Sequence, residues 1–190
     1  MLRVFEAAWQ FHQFFNSHHI PYVMIGGLAA QHWGQPRLTH DLDITVVIPI
    51  EETDSVLNLL TTKFQTRISD ALEFAKKHRV LLLYASNGCN VDISVGLPGY
   101  EDELIKRAQS LELEKGQIVN ICSAEDLIIH KAAAGRPRDL EDIAGVINRQ
   151  GSKLDVNYIR GWLREFSLIL ETDEVVNRFE QPYKEWQDSE

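Results

Sequence analysis

Asp41 and Asp43 stand two residues apart in a segment where Leu42, Ile44, Val46 and Ile48 alternate with Asp41, Asp43 and Thr45. That period of two is the period of a β-strand, so both carboxylates leave the backbone on one face, a few ångströms apart. Like charges held so close repel, and a hard divalent cation between them relieves the repulsion. A second alternating segment, Cys89 to Val95, puts Val91, Ile93 and Val95 on one face and Asp92 with Ser94 on the other. Three carboxylates on neighbouring strands make the oxygen-rich site that two-Mg²⁺ phosphoryl transfer needs. One ion activates the attacking hydroxyl and the other steadies the leaving pyrophosphate.

The elements around these residues must deliver a phosphate to them. The apolar run Tyr22-Val-Met-Ile25 ends at Gly26-Gly27, and Leu28-Ala-Ala-Gln-His-Trp33 follows, which predicts a strand, a glycine turn and a helix start. Such a turn lets the backbone approach a phosphate at the positive end of the helix. Residues 2–17 carry Val4, Ala8, Phe11 and Phe15 at helical spacing; residues 51–63 and 69–77 also read as helices. Arg79 to Ala85, the turn dipeptide Asn87-Gly88 and Cys89 to Val95 predict a β-hairpin. A polar helix is expected over 100–109 and a strand over 117–121. Ser123-Ala-Glu-Asp126 is a capping box for a helix closed by Gly135, Pro137 opens the next, and Asp155 caps another. The expectation is an α/β core over residues 1–121 followed by an α-helical part over 122–190.

Composition narrows the function classes. The 190 residues carry 19 Lys+Arg against 28 Asp+Glu, a net charge of −9, so the basic footprint of a protein that coats nucleic acid or anionic membrane is missing. No window approaches 18 uninterrupted apolar residues, and the N-terminus lacks the pattern of a signal peptide. Cys89 and Cys122 form no Cys-x-x-Cys pair, which fits a reduced, cytoplasmic compartment without disulfides. His18, His19, His32, His40 and His130 have no metal-ligand spacing and read as surface or core residues. The four tryptophans read as packing residues, of which only Trp33, just after the glycine turn, could stack on a nucleobase.

The string Ile25-Gly26-Gly27, then Asp41-Leu-Asp43-Ile44, then Val91-Asp92-Ile93 resembles the signature of the DNA polymerase β-like nucleotidyltransferase superfamily. Within it, Arg37-Leu-Thr-His-Asp-Leu-Asp43 and the stretch Ser123 to Ile143, which contains Lys131, Arg136, Asp139 and Asp142, are similar to the AbiEii-type abortive-infection toxins and their small relatives. The resemblance implies a nucleotidyltransferase fold, a small mixed β-sheet flanked by helices with a helical C-terminal part. It implies that Asp41, Asp43 and Asp92 hold two Mg²⁺ ions, with Mn²⁺ as an alternative, and that Asp92 serves the acceptor hydroxyl as base. Gly26 and Gly27 would hold the triphosphate through backbone N–H groups, with Lys131 and Arg37 as further nucleotide contacts. Arg37 and Lys131 also admit a structural pairing with carboxylates, and Arg136, Arg138, Asp139 and Asp142 read as a solvated or ion-paired helix face ahead of any direct part in catalysis.

The expected reaction moves an NMP from an NTP to a hydroxyl on RNA or protein and releases pyrophosphate. In the toxin relatives the acceptor is typically tRNA and a neutralising antitoxin is the partner. Two other outcomes stay open. One is a small cationic acceptor, as in the aminoglycoside nucleotidyltransferases, and the other is a nucleotide- or partner-binding module without catalysis.

Overall fold

Apolar residues that recur every three or four positions fold here as helices, and those that alternate fold as strands, in a computed structural model that describes residues 2–189. The elements in chain order are α1 (Leu2–Ser17), β1 (Tyr22–Ile25), α2 (Gly26–Trp33), β2 (Asp41–Val46), α3 (Thr53–Lys63), β3 (Gln65–Thr66), α4 (Ala71–His78), β4 (Val80–Tyr84) and β5 (Asn90–Val95). They continue with α5 (Tyr100–Lys106), β6 (Gln109–Glu114), β7 (Gln117–Ile121), α6 (Ala124–Ala134), α7 (Pro137–Gln150), α8 (Val156–Leu170) and α9 (Glu174–Gln187). They fall into two units: the chain up to Leu28 with Leu38–Cys122, and Ala29–Arg37 with the chain from Ser123 onward. No helix among the described residues is long and apolar enough to cross a membrane.

The first unit is built on a mixed seven-stranded sheet of order β3-β4-β5-β2-β1-β7-β6. Its central strand β2 pairs antiparallel with β1 and parallel with β5. Leu42, Ile44, Val91 and Ile93 are fully buried on one face of that centre. Helix α1 contributes Phe11 and Phe15, both fully buried, and the Phe11 ring stacks on Phe64 with centroids 4.2 Å apart. The β4–β5 turn closes at Asn87-Gly88, where Gly88 N–H donates to the Ala85 carbonyl at 2.9 Å and the Asn87 side chain accepts from Cys89 N–H at 3.0 Å.

Three local expectations change. The helix expected over 100–109 ends at Lys106, and β6 follows, pairing with β7. The Leu111/Leu113 alternation before the Lys115-Gly116 turn is a strand signal that the polar composition conceals. Strand β2 stops at Val46 rather than Ile48 because both neighbours run out there: Val46 pairs with Tyr22, the first residue of β1, and with Val95, the last of β5. Thr45, expected on the open face, is buried, so that face is open only around Asp41 and Asp43.

In the second unit the ends of α6 and the start of α8 have identifiable chemical causes. Ser123 Oγ accepts from Asp126 N–H at 3.1 Å, and Asp126, fully buried, also takes hydrogen bonds from the Ser123 hydroxyl at 2.6 Å and the Tyr158 hydroxyl at 2.8 Å. Gly135 ends α6 in a left-handed conformation, and Asp155 caps α8 by accepting from Tyr158 N–H at 3.0 Å. Arg160 and Glu180 join α8 to α9 in a bidentate pair at 2.6 and 2.9 Å. The segment Ala29–Arg37 belongs to this unit because Arg149 donates to the Gly34 carbonyl at 2.8 Å and Gln150 to the Trp33 carbonyl at 2.9 Å.

His130 sits on α6 with its Nε2 out of contact with water, and burial, helped by the charge of Lys131, pushes its pKa down to about 4. Below its ordinary value of 6.5 the unfolded chain takes up a proton that the folded chain refuses until about pH 4. Stability therefore falls as pH drops through that window, by up to about 3 kcal/mol. Urea titrations at pH 7 and pH 4.5 should show a smaller pH-dependent loss for His130→Gln than for the wild type; equal losses would remove His130 as the cause.

Candidate active site

The register of β2 against β5 sets Asp43 directly across from Asp92 and Asp41 across from Asn90. Residues opposite one another in a parallel pair point to the same face, and adjacent strands lie about 4.8 Å apart. All three carboxylates therefore share one face of the sheet, while Leu42, Ile44, Val91 and Ile93 anchor the other face in the core. Asp41 is exposed, and Asp43 and Asp92 are half-buried.

Neighbours temper the mutual repulsion. Asn90 donates through Nδ2 to Asp41 Oδ1 at 2.9 Å. Arg67 brings Nη1 to 2.9 Å from Asp92 Oδ1, an ion pair whose geometry is not that of an aligned hydrogen bond, since this buried oxygen has no hydrogen-bond donor. Burial raises the Asp92 carboxyl above its ordinary pKa, Arg67 pulls it back down, and Asp41 pushes it up again. Sequence reasoning missed Arg67, because nothing in its spacing connects it with Asp92.

The glycine turn meets the same carboxylates. Gly26 has φ +62°, and a Cβ there would run into the Asp43 carboxylate; a Cβ on Gly27 would run into the Thr39 hydroxyl. The side chains of Asp43 and Thr39 thus fill the space where a side chain on either glycine would stand. Gly26 also opens α2 at its positive end, which favours the anion beside it.

The residues fit a divalent cation chemically. The donor set is carboxylate oxygen, which hard cations take, and Asp92 Oδ1 has a lone pair that no hydrogen bond uses. Among the described residues no three His, Cys, Asp or Glu side chains are already gathered into a cage. Asp92 is drawn to Arg67 and Asp41 to Asn90 instead.

In the second unit the structure brings together Arg37, Lys131, Asp139 and Asp142. Arg37 grips Asp142 in a bidentate fork at 2.8 and 2.9 Å. Lys131 Nζ lies 2.6 Å from Asp139 and 2.9 Å from Asp142. Asp139 also accepts from Arg136 N–H at 3.1 Å, closing the capping box of α7. Burial alone would raise the Asp142 carboxyl, but hydrogen bonds from Arg37 and Lys131 outweigh it and hold the pKa below its ordinary value.

Over residues 1–189 the sequence matches the family described as nucleotidyltransferase of unknown function (DUF6036). No curated protein matches the sequence. The crystal structure of an antigenic nucleotidyltransferase-like protein from Paracoccidioides brasiliensis is similar with a TM-score of 0.57 and 16% identity, over 93% of this chain and 92% of that one. The solution structure of the antibiotic-resistance factor ANT(2'')-Ia is similar with a TM-score of 0.55 and 15% identity, over 89% of this chain and 96% of that one. At such identities the likeness is one of fold.

Removing Asp142 leaves two cations facing a single carboxylate in a largely buried cluster. Asp142→Ala should cost about 3 kcal/mol in urea denaturation; a loss under about 1 kcal/mol would mean that the cluster behaves like an exposed ion pair.

Proposed function

The chain belongs to the DUF6036 family of nucleotidyltransferases, and we propose that Asp41, Asp43 and Asp92 carry a divalent-cation-dependent transfer of an NMP from an NTP to a hydroxyl acceptor. The observation that carries this reading is the register that sets Asp43 opposite Asp92, with Asp41 on the same face.

Asp41 and Asp43, with Asp92 beside them, are the residues that would hold Mg²⁺ or Mn²⁺. A divalent ion there supplies Lewis acidity toward the phosphate and the acceptor hydroxyl. Asp92 accepts the proton of that hydroxyl. The acceptor oxygen attacks the α-phosphorus in line, the bond to the bridging oxygen breaks, and pyrophosphate leaves with that electron pair. Gly26 and Gly27, pressed against the side chains of Asp43 and Thr39, would offer backbone N–H groups to the triphosphate. Arg37 and Lys131, which the resemblance also implies as nucleotide contacts, pair with Asp139 and Asp142 within the second unit.

The acceptor we propose is a hydroxyl of RNA or protein, as the toxin-like stretch from Ser123 to Ile143 supports, with a neutralising antitoxin as partner. The net charge of −9 favours a second acceptor class, a small polycation of the aminoglycoside kind.

Incubation of the protein with α-labelled ATP, CTP, GTP or UTP, a divalent cation and fractionated cell lysate or an aminoglycoside distinguishes these. Label in RNA, protein or the small cation names the acceptor. Asp43→Asn should lower transfer by at least about a thousandfold, the several kcal/mol expected of lost metal stabilisation, with an unchanged circular dichroism spectrum. Full activity in that variant would falsify the assignment.

A further inference from the structure

Arg67 lies in the same row of the sheet as the carboxylates. Its N–H donates to the Leu82 carbonyl at 3.0 Å, Leu82 is opposite Asp92, and Asp92 is opposite Asp43. From the edge of the sheet its side chain passes the half-buried Leu82 to bring Nη1 within 2.9 Å of Asp92 Oδ1. Two features of this contact stand out. The guanidinium neutralises the carboxylate without giving Oδ1 an aligned hydrogen bond, so the oxygen keeps its lone-pair capacity in a buried position. Asp92 and Asp41 are each drawn to a protein partner, and no three-carboxylate cage exists among the described residues.

We propose that Arg67 is a resident counter-ion that a divalent cation must displace from Asp92, which makes Arg67 a positioning residue of the transfer reaction. The proposal rests on the reading of Asp92 as a metal ligand. Without an ion, the arginine offsets the cost of holding Asp92 beside Asp41 and Asp43, both acidic. An arginine does not lose its proton, so a metal ion and the guanidinium compete for one oxygen and repel each other when both are close. The bare ion therefore binds weakly. An ion that arrives with the negative charge of a triphosphate overcomes that repulsion, so Arg67 ties occupancy of the Asp92 position to the presence of nucleotide. Arg67 thus lowers affinity for the free metal while it supports the metal-free fold, two effects of opposite sign in one side chain.

The test is calorimetric titration of Mn²⁺, without nucleotide, into the full-length wild type, Arg67→Gln, Arg67→Lys, Asp92→Asn and the Arg67→Gln/Asp92→Asn double variant, each checked by circular dichroism. Removing a like charge at this range should tighten Mn²⁺ binding by about tenfold in Arg67→Gln. Arg67→Lys, which keeps the charge, should stay close to the wild type. Asp92→Asn should bind more weakly, and the double variant should match it, because the gain acts through Asp92. Binding by Arg67→Gln that equals or falls below the wild type, while Asp92→Asn is weakened, overturns the counter-ion role and leaves Asp92 as a ligand. Undiminished Mn²⁺ binding by Asp92→Asn, or no binding by any of the proteins, overturns the metal-ligand reading itself and the proposal with it. A purely structural role for Arg67 would not produce tighter metal binding.

Discussion

Holding Asp41, Asp43 and Asp92 on one face of adjacent parallel strands is the constraint on which the first unit turns. Left to themselves the carboxylates would repel one another and move apart. They stay because the opposite face of the same strands is fully buried: Leu42, Ile44, Val91 and Ile93 cannot slip by one residue without exchanging core for solvent. Hydrophobic burial on one side of the sheet thus maintains an electrostatically unfavourable arrangement on the other. Asn90 and Arg67 offset part of that cost at the strand ends, and the positive end of α2 does so beside Asp43.

The glycine turn follows from the same placement. With β1 antiparallel to β2, Ile25 stands across from Asp43, and the chain must leave the sheet directly beside that carboxylate. Only a residue without a Cβ, at φ +62°, makes the turn without striking Asp43. Gly26 is therefore a steric requirement of the site's architecture.

The second unit handles charge in the opposite way. Arg37, Lys131, Asp139 and Asp142 neutralise one another at hydrogen-bonding distance in a largely buried cluster. Asp139 has two duties there, since it caps α7 and binds Lys131. The cluster ties Arg37 to residues about a hundred positions later in the chain, which explains why Ala29–Arg37 belongs with the helices that follow Ser123. In the first unit, by contrast, three carboxylates share one face of the sheet, and that concentration of oxygen donors is what makes the face suited to a cation.

The sequence by itself determined which residues alternate and which recur at helical spacing. Hence it sufficed for α1, β2, the β4–β5 hairpin, the Ser123 and Asp155 caps and the shared face of Asp41 and Asp43, because these depend on backbone periodicity and on hydrogen bonds between near neighbours. It also carried the family likeness, through the spacing of Gly26-Gly27, Asp41, Asp43 and Asp92. Strand β3, two residues long, left no periodic trace, and the burial of Thr45 depends on what packs over it. The alignment of Asp92 with Asp43, the reach of Arg67 to Asp92 and the capture of Arg37 and Lys131 by Asp142 were decided by tertiary structure alone. Each joins residues far apart in the chain, and such a contact is selected by strand register and packing, which no local pattern of residue types encodes.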